Sequence, residues 1–244
     1  MLKVKGVSKN FGGLAAISGL SFELARGEVL GVIGPNGAGK TTLLNLITGY
    51  IAPSEGSIQF EGKELRGLAP YQICRMGVAR TFQVVRPFDE MTVGDNVMTG
   101  ALFSSNQRIS TQDATARVDR SLDMVGLLGK RDVLASELTI GEKKKLELAR
   151  ALATKSKLLL LDEVMSGLTG SEIDAAMDVI ERVADSGVTI LMIEHLVGVI
   201  LALSDRVLVL NFGRELFQGL PEDVIAHPDV IESYLGQPLE QTES

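Results

Sequence analysis

The chain has 244 residues, of which 45% are hydrophobic and 23% charged, and its formal net charge is −7. This length and composition suffice for one large α/β domain, and the acidic balance argues against nucleic acid as the main partner. The single cysteine, Cys74, excludes an internal disulfide and indicates a reducing compartment, and the two histidines exclude a His-rich metal site.

The first part of the chain is predicted to contain short strands of an antiparallel sheet. Strand-like runs cover 2–4, 20–24 and 57–60, and Gly-containing turns lie at 12–13 and 26–27. The N-terminal residues lack the apolar core of a signal peptide. We interpret this region as a β lobe beside the main sheet.

Residues 34–41 match the pattern G-x-x-x-x-G-K-[ST], in which a glycine-rich loop binds phosphate. A β-branched apolar run precedes the loop and apolar residues at helical spacing follow it, so the strand and helix that the motif requires are both predicted. The glycines let several N–H groups face one point, and the helix N-terminus adds its positive end. We expect Lys40 to reach the β- and γ-phosphates and the Thr41 hydroxyl to bind Mg²⁺. The predicted phosphate-binding residues are Gly34, Asn36, Gly37, Ala38, Gly39, Lys40, Thr41 and Thr42.

The rest of the chain divides into a helical part and an alternating part. Helices are predicted at 91–102, 114–125 and 141–153. Beyond them, strands at 157–161, 188–193 and 207–210 alternate with helices at 171–184 and 196–202. This alternation predicts a parallel sheet covered by helices. The longest apolar run, at 196–203, is far shorter than the roughly 20 residues that span a bilayer, so we expect a soluble chain.

An apolar strand ends in two carboxylates, Asp162 and Glu163. A buried strand would bring Asp162 beside the phosphate loop, where a carboxylate can hold Mg²⁺ directly or through water. Glu163 follows it and is the candidate general base for an attacking water. The alternative is a strand that ends at a solvated acidic turn, which a phosphate loop upstream makes the minority interpretation.

Thr139 and Glu142 have the spacing of a capping box at the start of a helix. One interpretation is a well-started helix with a solvated basic face. The other is that the Thr139 hydroxyl and the Gly141 N–H form a second phosphate site. A second site makes sense if it closes on the nucleotide of another copy of the chain.

Together these motifs resemble the nucleotide-binding subunits of ABC transporters over nearly the whole chain. The resemblance also includes the opening segment at 7–13 with Phe11, the Arg-Thr-Phe-Gln segment at 80–83, and Leu138 to Glu142 in place of the Leu-Ser-Gly-Gly-Gln signature. Residues 166–169 occupy the D-loop, and His195 follows a strand as the family's switch histidine does.

The resemblance implies an α/β fold, namely a P-loop NTPase core of ABC type with an antiparallel β subdomain and a helical subdomain. It implies one domain at 1–236, with core and β lobe at about 1–88 and 153–236, a helical lobe at about 89–152 and a polar tail at 237–244. It further implies an ATPase in which Lys40, Glu163 and His195 are catalytic. ATP and Mg²⁺ are the implied cofactors.

The resemblance also assigns roles to individual residues. Phe11 would stack on adenine, and Thr41, Gln83 and Asp162 would hold Mg²⁺. Thr139 and Gly141 would close the ATP site of the opposite subunit. The implied binding residues beyond the phosphate loop are Phe11, Gln83, Thr139 and Gly141.

The sequence departs from the family pattern at five positions, of which the first, Thr139 in place of Ser, keeps the hydroxyl. Ile140 and Glu142 stand where the signature has Gly and Gln, Val164 where Pro is common, and Thr169 where the D-loop has Asp. A side chain at 140 and a carboxylate at 142 are expected to weaken contact with a polyphosphate, unless the capping box turns Glu142 backwards.

A narrower resemblance is to the branched-chain amino-acid uptake group, through residues 80–93, 210–213 and 228–236. It implies import of such a solute through an integral membrane permease, which would dock near 84–91. The ATPase would lie on the cytoplasmic face, as a homodimer or paired with a paralogue, and a solute-binding protein would act indirectly. Relatives for urea, amides or lipid export share much of this pattern. An assembly or scaffold ATPase and a nucleotide-binding regulator remain open, whereas the acidic charge speaks against a nucleic-acid-linked ATPase.

Overall fold

The computed structural model describes residues 1–103 and 109–232, so the predicted tail at 237–244 lies outside the described residues. The strands of the described part are β1 (Leu2–Phe11), β2 (Leu14–Leu24), β3 (Val29–Ile33), β4 (Glu55–Phe60), β5 (Lys63–Glu64), β6 (Val78–Arg80), β7 (Leu158–Asp162), β8 (Thr189–Ile193), β9 (Arg206–Asn211) and β10 (Arg214–Gly219). Its α-helices are α1 (Lys40–Ile47), α2 (Pro70–Met76), α3 (Val93–Phe103), α4 (Thr111–Met124), α5 (Ile140–Ala153), α6 (Gly170–Asp185), α7 (Val197–Leu203), α8 (Pro221–Ala226) and α9 (Pro228–Val230).

The larger sheet has the strand order β10-β9-β3-β8-β7-β6, and its neighbouring strands from β9 to β6 are parallel. Successive residues of β3 enter two different hydrophobic clusters: Val29 and Ile33 pack in one, Leu30 and Val32 in the other. Both faces of the sheet are therefore covered, and a strand buried on both faces needs a continuous apolar sequence. This confirms the predicted parallel sheet with helices around it.

The edge strand β10 departs from the prediction, because it is antiparallel to β9 and was not expected from the sequence. The two strands are joined by Phe212 and Gly213, whose φ angles are 45° and 74°. Two successive residues with positive φ form the type I′ turn that suits a hairpin's twist. An aromatic residue is unusual at the first of these positions, and for that reason the turn was missed.

The smaller sheet is antiparallel, with the order β2-β1-β4-β5, as predicted. Leu2 of β1 lies opposite Leu24 on one side and Phe60 on the other, and all three side chains are buried. Both β1 and β2 are longer than the apolar runs at 2–4 and 20–24, because their pairing continues through polar positions as far as Phe11 opposite Leu14. The buried face packs in the same cluster as Leu43 and Leu44 of α1.

Helices α3, α4 and α5 follow one another between β6 and β7 and contact each other. Their buried side chains, among them Val97, Val118 and Leu146, belong to the cluster on one face of the larger sheet. The three helices confirm the predicted ones to within a few residues, whereas α2, α8 and α9 were not predicted. Among the described residues, no helix is both long enough and apolar enough to cross a bilayer.

Candidate functional site

The predicted phosphate-binding loop, here called the phosphate-type loop, joins β3 to α1, as the sequence predicts. Two other segments contact its backbone, strand β2 and the turn between β9 and β10. Gly39 has a φ of 101°, and a Cβ added there would lie 2.6 Å from the Ala16 carbonyl oxygen of β2. The Gly213 N–H donates to the Ala38 carbonyl at 3.1 Å, and the Gly213 carbonyl accepts from the Ser18 N–H at 2.8 Å. The β9–β10 turn therefore fixes the loop backbone, and glycine is required at position 39.

Lys40 is buried at the start of α1, with its amine inside the curl of the loop. Its Nζ donates to the Gly34 carbonyl at 2.6 Å and to the Pro35 carbonyl at 3.2 Å. Burial lowers the pKa of Lys40, and the nearby charges of Glu163 and Asp162 oppose that shift. A phosphate oxygen in the curl could replace either carbonyl as the acceptor and would form a stronger, charge-assisted hydrogen bond.

Glu163 is held through both of its carboxylate oxygens by two residues that the sequence predicted for the site. Gln83 Nε2 donates to Oε2 at 2.5 Å, and His195 Nε2 donates to Oε1 at 2.8 Å. Glu163 also has a φ of 51°, in the left-handed region that non-glycine residues rarely adopt. Such a conformation costs about 1–2 kcal/mol and is concentrated at functional sites. The structure thus brings three predicted residues together from β7, β8 and the segment after β6.

Asp162 ends β7 and is buried, but its closest partner is a residue to which the sequence analysis gave no separate role. Arg80 Nη2 donates to Asp162 Oδ2 at 2.7 Å. Thr41, Gln83 and Asp162, the three predicted magnesium ligands, line a single cavity of about 850 Å³. A hydroxyl, an amide and a carboxylate are hard oxygen donors of the kind that Mg²⁺ prefers, so the residues fit the ion. Within the described ranges, no group of three or more His, Cys, Asp or Glu is arranged to hold a metal ion.

The loop, the two carboxylates and Gln83 all lie in the part of the chain that matches a known protein family. The model of the family described as "ABC transporter" matches residues 17–166, which include the loop, Gln83, Asp162 and Glu163. The chain belongs to the ABC transporter family. The predicted resemblance and the fold class are thereby confirmed.

Curated relatives in this family cover nearly the whole chain. The high-affinity branched-chain amino acid transport ATP-binding protein LivG of Salmonella typhimurium is 39% identical over 97% of this chain and 98% of its own length. The corresponding protein BraF of Pseudomonas aeruginosa is 37% identical with the same coverage. The chain is therefore an ATP-binding subunit of ABC type that is homologous to the ATPases of branched-chain amino-acid transporters.

Solved cassettes have the same fold. An ATP-binding cassette of an ABC transporter in its ADP conformation superposes with a TM-score of 0.87 at 30% identity, covering 97% of this chain and 99% of that chain. A nucleotide-free cassette superposes with a TM-score of 0.84 at 30% identity and the same coverage.

The altered signature of this ABC subunit forms the predicted capping box. Thr139 is the N-cap of α5: its Oγ1 accepts from the Glu142 N–H at 3.3 Å, and Glu142 Oε2 accepts from the Thr139 N–H at 3.1 Å. The second carboxylate oxygen of Glu142 pairs with Lys130 Nζ at 2.5 Å, and this hydrogen bond lowers the pKa of Glu142. Glu142 is thus turned back and paired, whereas Ile140 is 58% exposed at the helix start.

Thr139 and Gly141 are not brought to the cavity that holds the predicted magnesium ligands. They line a second cavity of about 280 Å³ together with Glu172 of α6. A Cβ added at Gly141 would lie 2.8 Å from Glu172 Oε1, and Glu172 in turn accepts from the Thr169 N–H at 2.9 Å. Phe11, the predicted adenine platform, is 49% exposed at the end of β1.

Four charged residues near the site were missed by the sequence analysis as individual groups. Arg80 binds Asp162, and Lys144 of α5 donates to the Ser166 carbonyl. Glu147 accepts from the Phe82 N–H at 2.6 Å, and Glu194 accepts from the Met165 N–H at 2.9 Å. The available signal was a charged residue at an otherwise apolar position, as for Arg80 at the end of Val78–Arg80. Their partners are distant in sequence, so the pairs themselves could not be found.

Proposed function

We propose that this ABC subunit hydrolyses ATP and that Glu163 is the general base that takes a proton from the attacking water. The observation that carries the proposal is the carboxylate held at both oxygens by Gln83 and His195. A base held in this way is already oriented, and general-base catalysis contributes roughly 10²- to 10⁴-fold. His195 then contacts the γ-phosphate, and Lys40 balances its charge.

The other site residues bind the nucleotide and Mg²⁺. Residues 34–42 surround the phosphates, and Phe11 stacks on the adenine. Thr41, Gln83 and Asp162 hold the Mg²⁺, which supplies neutralisation of phosphate charge when it is bound. Thr139 and Gly141 act on the ATP of a second cassette, because they open into a different cavity from Thr41.

We further propose that the subunit powers import of a branched-chain amino acid or a similar small solute. The support is the name shared by relatives that align over nearly all of the chain, LivG and BraF. A permease would dock at the 850 Å³ cavity, which Val84 and Arg86 also line, and a solute-binding protein would act indirectly through that permease. The subunit would lie on the cytoplasmic face of the membrane, as a homodimer or with a paralogue. The division into a core and β lobe, a helical lobe and a tail at the predicted boundaries belongs to the same proposal.

The catalytic assignment is tested by Glu163→Gln, with Glu181→Gln on the exposed side of α6 as the matched control. We expect Glu163→Gln to bind Mg-ATP like the unaltered chain, to lose nearly all turnover and to favour dimers. Mg-ATP binding, the rate of phosphate release and the oligomeric state are measured on the purified chain and on the complex extracted from native membranes. Turnover in Glu163→Gln equal to that of the control would refute the assignment of the base.

The transport role is tested by extracting the subunit from native membranes in a mild detergent. We expect an integral membrane permease to accompany it, and ATP hydrolysis to depend on that permease. Recovery of the subunit without any integral protein, with full hydrolysis, would instead favour an assembly factor or a regulator.

A further inference from the structure

Arg80 and Asp162 form an ion pair in the interior, where ion pairs are hard to justify by stability alone. Their side chains are only 7% and 6% exposed, and the Nη2–Oδ2 distance is 2.7 Å. The other guanidinium nitrogen, Nη1, donates to Asn45 Oδ1 of α1 at 2.7 Å. Replacing a buried pair with apolar residues is often neutral or stabilising, because removing two charges from water costs several kcal/mol for each ion. The pair therefore invites a functional explanation.

Asp162 is also the carboxylate proposed to hold Mg²⁺. A guanidinium and a divalent cation at the same carboxylate repel each other, and burial makes this repulsion stronger than it would be in water. Without metal, Arg80 compensates the charge of Asp162. With metal, the same arginine opposes binding of the ion. Arg80 is thus expected to lower the affinity of the site for the metal.

A contact with an aromatic ring connects this pair to the large cavity. Arg80 Cζ lies over the Phe82 ring, 5.1 Å from its centroid, and the Phe82 and Tyr50 rings meet edge to face with their centroids 6.3 Å apart. Arg80, Phe82 and Tyr50 all line the 850 Å³ cavity together with Asp162. The Phe82 N–H donates to Glu147 of α5 at 2.6 Å. One arginine thereby contacts the metal-binding carboxylate, the cavity wall and, through Phe82, the helix that begins after Thr139.

We propose that Arg80 is a positioning residue that couples metal binding at Asp162 to the wall of the large cavity. Arg80 holds Asp162 while no metal is bound, and Asp162 loosens that contact when it takes part in holding Mg²⁺ with the nucleotide. The proposal rests on the proposed role of Asp162 as a magnesium ligand. A partner in the cavity that draws Arg80 away from Asp162 strengthens metal binding. Because coupling is reciprocal, the bound metal strengthens the binding of that partner by the same factor.

The test measures Mn²⁺ binding to the ADP-loaded chain by electron paramagnetic resonance, since Mn²⁺ is also bound by hard oxygen donors. We expect Arg80→Gln to bind Mn²⁺ more tightly than the unaltered chain does, by a factor of roughly five or more. We also expect this substitution to destabilise the metal-free protein. A purely structural role predicts the reverse, because a loosened site binds metal less well. Arg80→Lys keeps the charge and is expected to remain closer to the unaltered affinity.

Arg206→Gln is the matched control, because Arg206 forms an ion pair of the same 2.7 Å length with Glu28. We expect this variant to lose stability without any change in Mn²⁺ affinity. If Arg80→Gln does not fold, Phe82→Leu is measured instead, because removing the aromatic ring under Arg80 loosens that arginine. We expect a smaller rise in Mn²⁺ affinity, of about twofold. Unchanged or weaker Mn²⁺ binding in the folded variant overturns the coupling.

Cys74 supplies a second readout, because it lines the same cavity and is the chain's single cysteine. In the unaltered chain loaded with ADP, we expect the rate at which a thiol reagent modifies Cys74 to change by about twofold or more when Mn²⁺ is added. In Arg80→Gln this metal-dependent change should disappear, and its persistence would overturn the link to the cavity.

Asp162→Asn distinguishes a failure of the proposed metal role of Asp162 from a failure of the coupling through Arg80. If this variant binds Mn²⁺ with ADP as tightly as the unaltered chain, the proposed metal role of Asp162 fails and the coupling fails with it. If Asp162→Asn loses the ion while Arg80→Gln gains no affinity, the metal role stands and the coupling alone is wrong.

Discussion

At the scale of single residues, two carboxyl groups beside the site have raised pKa values, the half-buried Glu147 and the buried Glu194. Burial raises the pKa of Glu147 and that of Glu194 to about 7, and each accepts a backbone N–H that opposes the shift. Neither group is one of the proposed nucleotide or metal ligands. Their protonation is therefore expected to change the stability of the segments around the site.

The pH dependence of stability follows from the direction of this shift. Glu147 has a higher pKa in the folded chain than in the unfolded chain, so the folded state binds more protons between about pH 4.5 and pH 7. The stabilisation is complete below the unfolded pKa and is lost as the pH rises to about 7. The charged groups near Glu147 are Arg150 and Lys144, which favour its ionised form, and Asp162, which opposes it.

We expect Glu147→Gln to unfold at a higher urea concentration than the unaltered chain at pH 8, and to show little difference at pH 5. The gain at pH 8 should be on the order of 1 kcal/mol, because a pKa shift of one unit corresponds to about 1.4 kcal/mol and the site is partly screened. Exposed Glu181→Gln is the control. Equal effects of Glu147→Gln at both pH values would contradict this reasoning.

At the scale of elements, α5 begins with a capping box where the family has its signature. The Thr139 hydroxyl, which is proposed to contact a second nucleotide, accepts a hydrogen bond within its own helix start, and the Glu142 carboxylate is turned back to the Thr139 N–H and paired with Lys130. The Thr139 hydroxyl only accepts in this contact, so its own hydrogen can still be donated to a phosphate oxygen of a partner's ATP. The cap that stabilises this helix start is therefore compatible with its proposed binding role.

We expect Thr139→Ala to lower the free energy of unfolding of the nucleotide-free chain by about 1 kcal/mol, the typical value of an N-cap. Thr139→Ser keeps the hydroxyl and should restore most of the loss. Urea denaturation followed by circular dichroism measures both variants. The same loss in Thr139→Ser as in Thr139→Ala would mean that the hydroxyl contributes nothing to the helix.

The β9–β10 turn is the second element that acts beyond its own strands, because it supports the phosphate-type loop from behind. A Cβ added at Gly213 would lie 2.6 Å from the Ala16 carbonyl oxygen. We expect Gly213→Ala to displace the loop and to weaken ATP binding roughly tenfold, measured by calorimetry. Gly187→Ala also alters a glycine with positive φ, but no atom lies within 4 Å of its added Cβ, so it controls for strain alone. Equal ATP affinity in the two variants would show that the turn is irrelevant to the loop.

At the scale of the whole molecule, the proposed metal ligands and the proposed permease dock share one cavity. Thr41 and Asp162 lie in its lining, as do Val84 and Arg86. The Arg86 carbonyl accepts from Arg150 of α5 at 3.2 Å, so the lining also reaches the helical part of the chain. A permease segment in this cavity would therefore lie beside the residues that are proposed to bind nucleotide and Mg²⁺.

Charge reversal at the cavity rim tests this dock. We expect Arg86→Glu to leave ATP binding by the isolated chain unchanged and to reduce solute uptake at least about fivefold in a reconstituted transporter. Arg182→Glu on α6, outside the cavity lining, makes the same change of charge and should not affect uptake. Normal uptake with Arg86→Glu would exclude a dock at this position.

The loop, the two carboxylates after a buried strand, the capping box and most helices and strands could be predicted from the amino-acid sequence, because each is encoded by neighbouring residues. The antiparallel strand β10 was not predicted, because the turn between β9 and β10 has Phe212 at a position where Asn or Gly is usual. The contact of Arg80 with Asp162, the hydrogen bonds of Gln83 and His195 to Glu163, and the support of the loop by Gly213 are visible only in the folded chain. These contacts join residues far apart in the sequence, as for Arg80 and Asp162, which are 82 positions apart. Their existence depends on the order of strands in the sheet, which local periodicity does not encode.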